Sequence, residues 1–194
     1  ALEAYVSRKA NAFTEGMALT AMATICRHIR SACAEPDNRV AREAMMLAAT
    51  QGGMAFSNAS VTLIHGMSRP IGGLYHVPHG LSNAMLLPEV TAWSVGHASA
   101  RYATAARAMG LAEDSDADAL ALDKLTAGLR QLNADLSVPT PGEYGIDEAS
   151  WNASLELMAQ QALASGSPAN NPRIPQAAEI VALYQRVWAG PAPA

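Results

Sequence analysis

Between Thr14 and Ala34 the apolar side chains fall at Ala18, Met22, Ile25, Ile29 and Ala32, stepping by four, three, four and three. That rhythm gathers them on one face of a helix and scatters them over both faces of a strand. The same alanine-rich texture recurs along the chain. Half of the 194 residues are apolar but only 5% are aromatic, so a core must be assembled from Ala, Leu, Met, Val and Ile. Alanine favours helix and adds little to a sheet. The chain is long enough for one domain with a sizeable core. The expected fold class is therefore all-α, a multi-helical, bundle-like domain over residues 1–194 with about seven or eight helices.

Punctuation residues divide the helices. Ala1 to Val6 reads as a helix already in progress, which suggests a fragment or processed piece. Ser7 to Ala12 is a polar connection, and Thr14 caps the helix to Ala34. A second helix starts near Arg39, with Val40, Ala44, Leu47, Ala48 and Gln51 on one side. Gly52-Gly53 interrupts it, at a place suited to close helix packing. Met54 to Ile64 fits a buried strand or a buried helix by pattern, and its length and alanine-rich setting favour helix. Pro70 and Gly72-Gly73 end that helix. His79 opens the next, running to Val95 with Leu81, Met85 and Leu86 inward and a kink at Pro88. Further helices are expected over Ala98–Met109, from a cap at Ser115 or Asp116 to Ala134, from an Asp147 cap to Ala164, and over Gln176–Trp188. Leu120, Leu125 and Leu129 serve the second of these, and Trp151, Leu155, Met158 and Leu163 the third. Val138–Gly145 and Ser165–Pro175 are loops, and Gly190–Ala194 is a tail.

Charge and cysteine usage exclude some functions. The net charge of −4 is mild and basic residues form no stripe, so nucleic acid is not an expected partner. No run of 18 apolar residues is free of charges or breakers, so no membrane span is expected. Cys26 and Cys33 lie two helical turns apart, about 10 Å along one helix, too far for a disulfide. They read as reduced, buried small hydrophobes, in keeping with a cytoplasmic protein. No Gly-rich strand-to-helix fingerprint for a dinucleotide is present.

The chemistry concentrates between His65 and Pro88. Three of the five histidines, His65, His76 and His79, lie in this stretch with four glycines and three prolines. Imidazole is the commonest side-chain ligand for divalent transition metals. On one straight helix His65 and His79 would stand about 21 Å apart. Pro70, Gly72, Gly73 and Pro78 make a bend possible, and only a bend lets the two share an ion. Spacing alone leaves structural or surface roles open for each. His28 and His97 read as ordinary positions on a helix and at a helix boundary.

The stretch Ile64-His-Gly-Met-Ser-Arg-Pro-Ile-Gly-Gly-Leu-Tyr-His-Val-Pro-His-Gly-Leu-Ser-Asn-Ala-Met-Leu-Leu-Pro88 closely resembles the signature of the iron-containing (group III) alcohol dehydrogenases. Glu3-Ala-Tyr-Val-Ser7 resembles the segment after that family's first metal motif. Ala41-Arg-Glu-Ala44 to Gly53-Met-Ala-Phe-Ser-Asn-Ala59 resembles its next helical block, and Asn171-Pro172-Arg173 its late active-site loop. The resemblance implies a two-domain enzyme. An N-terminal α/β domain, absent from this chain, binds NAD or NADP, and a C-terminal helical domain binds Fe2+ or, in some members, Zn2+. The metal is held by an Asp and three His, of which two fall on His65 and His79. The other two belong to an Asp-x-x-x-His motif that would directly precede Ala1. Phe56 resembles a pocket-lining aromatic, with plain core packing as the alternative.

The resemblance has one departure. Many relatives carry a further His four residues after the first ligand of this stretch, and here that position is Arg69. Arginine stays protonated and serves as an anion partner rather than an acid–base group. Arg69 would then bind a carboxylate or phosphate of the substrate, or pair with a nearby acid. His76 is the candidate for a proton relay, with a solvent-facing loop role as the alternative. The implied activity is a metal-dependent, NAD(P)-linked interconversion of a small alcohol with an aldehyde or ketone, inactive in the isolated chain. A homo-oligomer is expected, since the domain should expose apolar surface. A non-catalytic helical module that binds a metal or a partner is the alternative. A purely structural α-domain is a third.

Overall fold

A computed structural model of the chain describes residues 1–190, so only Gly190 of the expected tail falls within the described residues. Nine α-helices and two 3-10 turns, with no strand among the described residues, bear out the all-α expectation. They are α1 Leu2–Val6, α2 Ala12–Ala34, α3 Arg39–Ala59, α4 Leu63–Tyr75, α5 His79–Ser94, α6 Ser99–Ala108, α7 Asp118–Asp135, α8 Glu148–Ala164 and α9 Ala177–Ala189. The 3-10 turns are Val95–His97 and Ser167–Asn170. No helix among them is long and apolar enough to cross a membrane.

Local chemistry explains most helix ends and corrects several expectations. Asn11, not Thr14, caps α2. Its side chain accepts from Thr14 N, while the Thr14 hydroxyl accepts from Asn11 N, a reciprocal box that satisfies two otherwise orphaned N–H groups. Asp147 caps α8 as expected, accepting from Ser150 N at 2.8 Å. At α7 neither Ser115 nor Asp116 caps, and the cap residue is Ala117. Asp116 instead accepts from Glu113 N and pairs with Lys124 at 2.6 Å.

Neither glycine pair breaks its helix. α3 runs through Gly52-Gly53, and a Cβ on either would meet nothing within 4 Å, so close packing is not their reason either. α4 runs through Pro70 and Gly72-Gly73 and stops at His76, whose backbone is left-handed at φ 55°. α5 runs through Pro88. Of the residues expected on one side of α3, only Ala48 belongs to its buried face. Ala41, Ala48, Ala55 and Ala59 are buried, while Val40 is 72% and Leu47 59% exposed.

Two apolar clusters fill the molecule. One joins α4, α5, α8 and α9 around Trp151, Tyr184, Met67 and Leu86. Trp151 meets Tyr184 edge-on at 5.7 Å, and the Tyr184 hydroxyl donates to Met67 O at 2.7 Å. The other joins α1, α2, α6 and α7 with the end of α3, and is built largely of alanine with Leu125 and Leu129. The five residues of α1 are all buried. α1 belongs to the second cluster and α4 to the first, and Thr62 and Ile64 at the head of α4 bond to Glu3 of α1.

Candidate metal centre

The left-handed turn at His76 reverses the chain, so that α4 and α5 pack against each other. The buried Val77 side chain anchors the link within the first apolar cluster. The reversal brings His65, in the first turn of α4, beside His79, the first residue of α5. Their ring centroids lie 5.1 Å apart with planes inclined at 64°. The bend inferred from Pro70, Gly72-Gly73 and Pro78 thus exists, but its working residue is His76.

Each imidazole is held from behind. His65 Nδ1 bonds the Oε2 of Glu3, a residue only 6% exposed. The other Glu3 oxygen, Oε1, accepts from Thr62 Oγ1 at 2.7 Å, from Ile64 N at 2.7 Å and more weakly from His65 N at 3.4 Å. Burial alone would push the Glu3 carboxyl up. The bonds from His65 and Thr62 more than reverse this and hold it below its ordinary value. His79 Nδ1 lies 3.2 Å from Ser68 Oγ, which lies 2.8 Å from Ser82 Oγ, which donates to His79 O at 3.0 Å. On the opposite edge of the ring Asn83 Nδ2 lies 3.1 Å from His79 Nε2. Burial, with the neighbouring His65 and Arg69, lowers the His79 pKa and so favours its neutral form.

A cavity of about 300 Å³ opens beside His65. Its walls are mainly apolar, from Met22, Ile25, Phe56, Leu87 and Leu129, with Glu3, His65 and Asn83 as polar groups. Phe56 is 45% exposed and lines this cavity, so plain core packing does not describe it. Cys26 also lines it, half-buried, and Cys33 is exposed. Both are free, but the expectation that both are buried fails. Arg69 and His76 are exposed and neither lines the cavity. Arg69 is close enough to act on the His79 charge.

Among the described residues no three or more His, Cys, Asp or Glu side chains form a group able to hold a metal ion. Asn171-Pro172-Arg173 serves as a clasp. Asn171 Nδ2 donates to Ser94 Oγ at 3.1 Å, and Arg173 stacks on Trp93 at 3.9 Å and pairs with Glu179 at 2.7 Å. Sequence reasoning missed Glu3, Thr62, Ser68, Ser82 and Asn83 as parts of the site. For Glu3 a signal was available: a carboxylate in a short run that is otherwise apolar, Leu2 to Val6.

A helical domain with two histidines on adjoining helices defines the class. Residues 1–188 match the family model for the C-terminal part of the Fe-containing alcohol dehydrogenase family. The chain belongs to that family. It is 35% identical over 189 residues to the 1,3-propanediol dehydrogenase of Klebsiella pneumoniae, covering 97% of this chain and 48% of that protein. It is 31% identical to the lactaldehyde reductase of Escherichia coli K12, again over 97% of this chain and 48% of the relative. The crystal structure of a 1,3-propanediol oxidoreductase superposes with a TM-score of 0.90 at 34% identity, covering 95% of this chain and 48% of that one. The chain thus spans about half the length of the curated relatives it matches.

Proposed function

We propose that this chain is the metal-holding domain of an NAD(P)-linked oxidoreductase that interconverts a small alcohol with its aldehyde or ketone. The observation that carries the reading is the His65–His79 pair, two imidazoles 5.1 Å apart, of which His65 lines an apolar cavity. The donor set fits a divalent iron or zinc ion, for which neutral imidazole is a common ligand. His65 and His79 would supply two ligands, and the remainder would come from outside the chain. A bound ion would supply Lewis-acid polarisation of the alcohol or carbonyl oxygen.

The chain's own residues do the rest. Glu3 and Ser68 orient the two rings. Phe56 and the apolar walls take the carbon skeleton of the substrate and exclude water from it. Arg69 offers a fixed positive charge at the rim for an anionic group on a substrate or cofactor. His76 is the remaining candidate for passing a proton to solvent. The nucleotide is bound mainly by a domain outside this chain, and the isolated chain is inactive. Relatives named for 1,3-propanediol and lactaldehyde support a small-molecule substrate. Cytoplasmic location and homo-oligomeric assembly belong to the same reading, supported by two free cysteines and the exposed apolar residues of α3.

The test is metal analysis and an alcohol panel on the polypeptide that carries this chain. His65→Ala and His79→Ala should each abolish bound metal and NAD(P)-dependent turnover while leaving the helical circular dichroism intact. Stoichiometric metal and full activity in both variants would refute the reading. Arg69→Ala should raise KM selectively for substrates bearing a carboxylate or phosphate. An unchanged kcat/KM for acidic and neutral substrates alike would remove Arg69 from the site. The presence of only two histidine ligands among the described residues favours, as a second reading, a module that binds metal without catalysis. Turnover by the full polypeptide distinguishes the two.

A further inference from the structure

The hydrogen bonds around the two imidazoles leave little choice about where their protons sit. Every group that approaches the Glu3 carboxylate other than His65 Nδ1 is a donor: the Thr62 hydroxyl and the amides of Ile64 and His65. A carboxyl group that takes a hydroxyl and two amides on one oxygen is held in its charged form, which has no proton to give. His65 Nδ1 must therefore be the donor in its bond to Oε2, and the Nε2 of a neutral ring is left with a lone pair.

The same count works on His79 by a different route. The hydroxyl of Ser82 is committed to a carbonyl, His79 O, which can only accept. The Ser68 hydroxyl must then donate to Ser82 Oγ, so Ser68 Oγ accepts from His79 Nδ1. Ser68 and Ser82 are buried, which leaves no solvent to reverse the order. With Nε2 unprotonated, the Asn83 amide can present its Nδ2 to that nitrogen, 3.1 Å away. We infer that Glu3 on one side and the Ser68–Ser82 pair on the other are positioning residues. They lock His65 and His79 in the same tautomer, proton on Nδ1 and lone pair on Nε2. The chain thereby holds two imidazole donors ready before any ion arrives, in the manner of the outer partners that orient metal-bound histidines elsewhere.

This inference rests on the proposed metal-holding role for its purpose, but not for its test. Imidazole nitrogens of the 194-residue chain can be assigned by 15N NMR without metal, at a pH well above the imidazole range. Both rings should show the proton on Nδ1, with His28 on α2 as a reference outside the site. In Glu3→Gln the single amide oxygen stays with the fixed backbone donors, so the NH2 faces His65. The expected result is inversion of His65 to the Nε2–H tautomer with His79 unchanged. In Ser82→Ala the Ser68 proton is released toward His79 Nδ1, and His79 alone should shift toward the Nε2–H form.

Zn2+ titrated as the probe should bind Glu3→Gln about 10–100-fold more weakly than the parent chain, the loss typical of removing an outer partner. A wild-type chain with the proton on Nε2 of either ring overturns the inference without any variant. So does a Glu3→Gln protein that keeps both its tautomer and its Zn2+ affinity. Tautomers that behave as expected, in a full polypeptide that retains no iron or zinc, would leave both locks standing and overturn the proposed function.

Discussion

Gly66 shows how closely the residues around His65 are fitted. A Cβ there would stand 2.8 and 2.9 Å from the ring carbons of Pro168, in the 3-10 turn after α8. A proline ring cannot swing aside as a flexible side chain can. Gly66→Ala should therefore cost about 1–3 kcal/mol in chemical denaturation, the usual range for overpacking. It should also weaken metal retention through its neighbour His65. The histidines were legible because the stretch around them resembles a family signature, while the glycines and prolines between them made a bend no more than possible. For Glu3 the sequence marked only an odd carboxylate in an apolar run, because its partnership with His65 joins residues 62 apart and exists only once α1 docks against α4. His76 was read for its imidazole, whereas its described role is a backbone one, a non-glycine residue in the left-handed region ending α4. His76→Gly should preserve or improve the fold, since glycine adopts that conformation without steric cost. A loss of turnover in that variant, with unchanged thermal stability, would assign the proton relay to the ring.

At the scale of the helix, α3 carries two overlapping apolar arcs, and pattern alone favours the wrong one. Val40 and Leu47 are larger than Ala41 and Ala48, so they dominate any hydrophobicity count. The small residues win because α2 and α3 pack as a long hairpin, and buried alanines permit that approach. Leu47→Ala should change stability by less than about 0.5 kcal/mol. Ala48→Leu should destabilise by about 1–3 kcal/mol, measured by urea unfolding. Gly52→Ala should stabilise by roughly 0.5–1 kcal/mol, since its site is helical and open. The connection into α7 carries a pH dependence. Bonds from the Lys124 ammonium and the Glu113 amide hold the Asp116 carboxyl below its ordinary value of 3.8. Stability from this group is complete above that value and is lost as the pH falls through the lower folded one. Asp116→Asn should lower the melting temperature at neutral pH and flatten its decline in acid.

Across the whole molecule the candidate site lies where two differently built clusters meet. The alanine-rich cluster supplies Glu3 through α1, and the aromatic cluster supplies both histidines through α4 and α5. Trp151 fixes the second cluster, fully buried against Tyr184 and Trp188. Trp151→Ala should cost about 3–5 kcal/mol and broaden the His65 and His79 resonances before those of His28. The all-α class followed from composition and period. The division into two clusters did not, because which helix faces meet is decided by side-chain volumes acting between distant segments.

The link of residues 76–78 between α4 and α5 also sets a gauge. A helix turns about 100° per residue, so one residue inserted or removed there would swing His79 around its axis by more than a quarter of a circle. Both helices would still form, and Met85 and Leu86 would compete to keep the old face buried. The gap between the two imidazoles is therefore written in the length of a three-residue joint, and this short segment should tolerate substitution far better than any change in its number of residues.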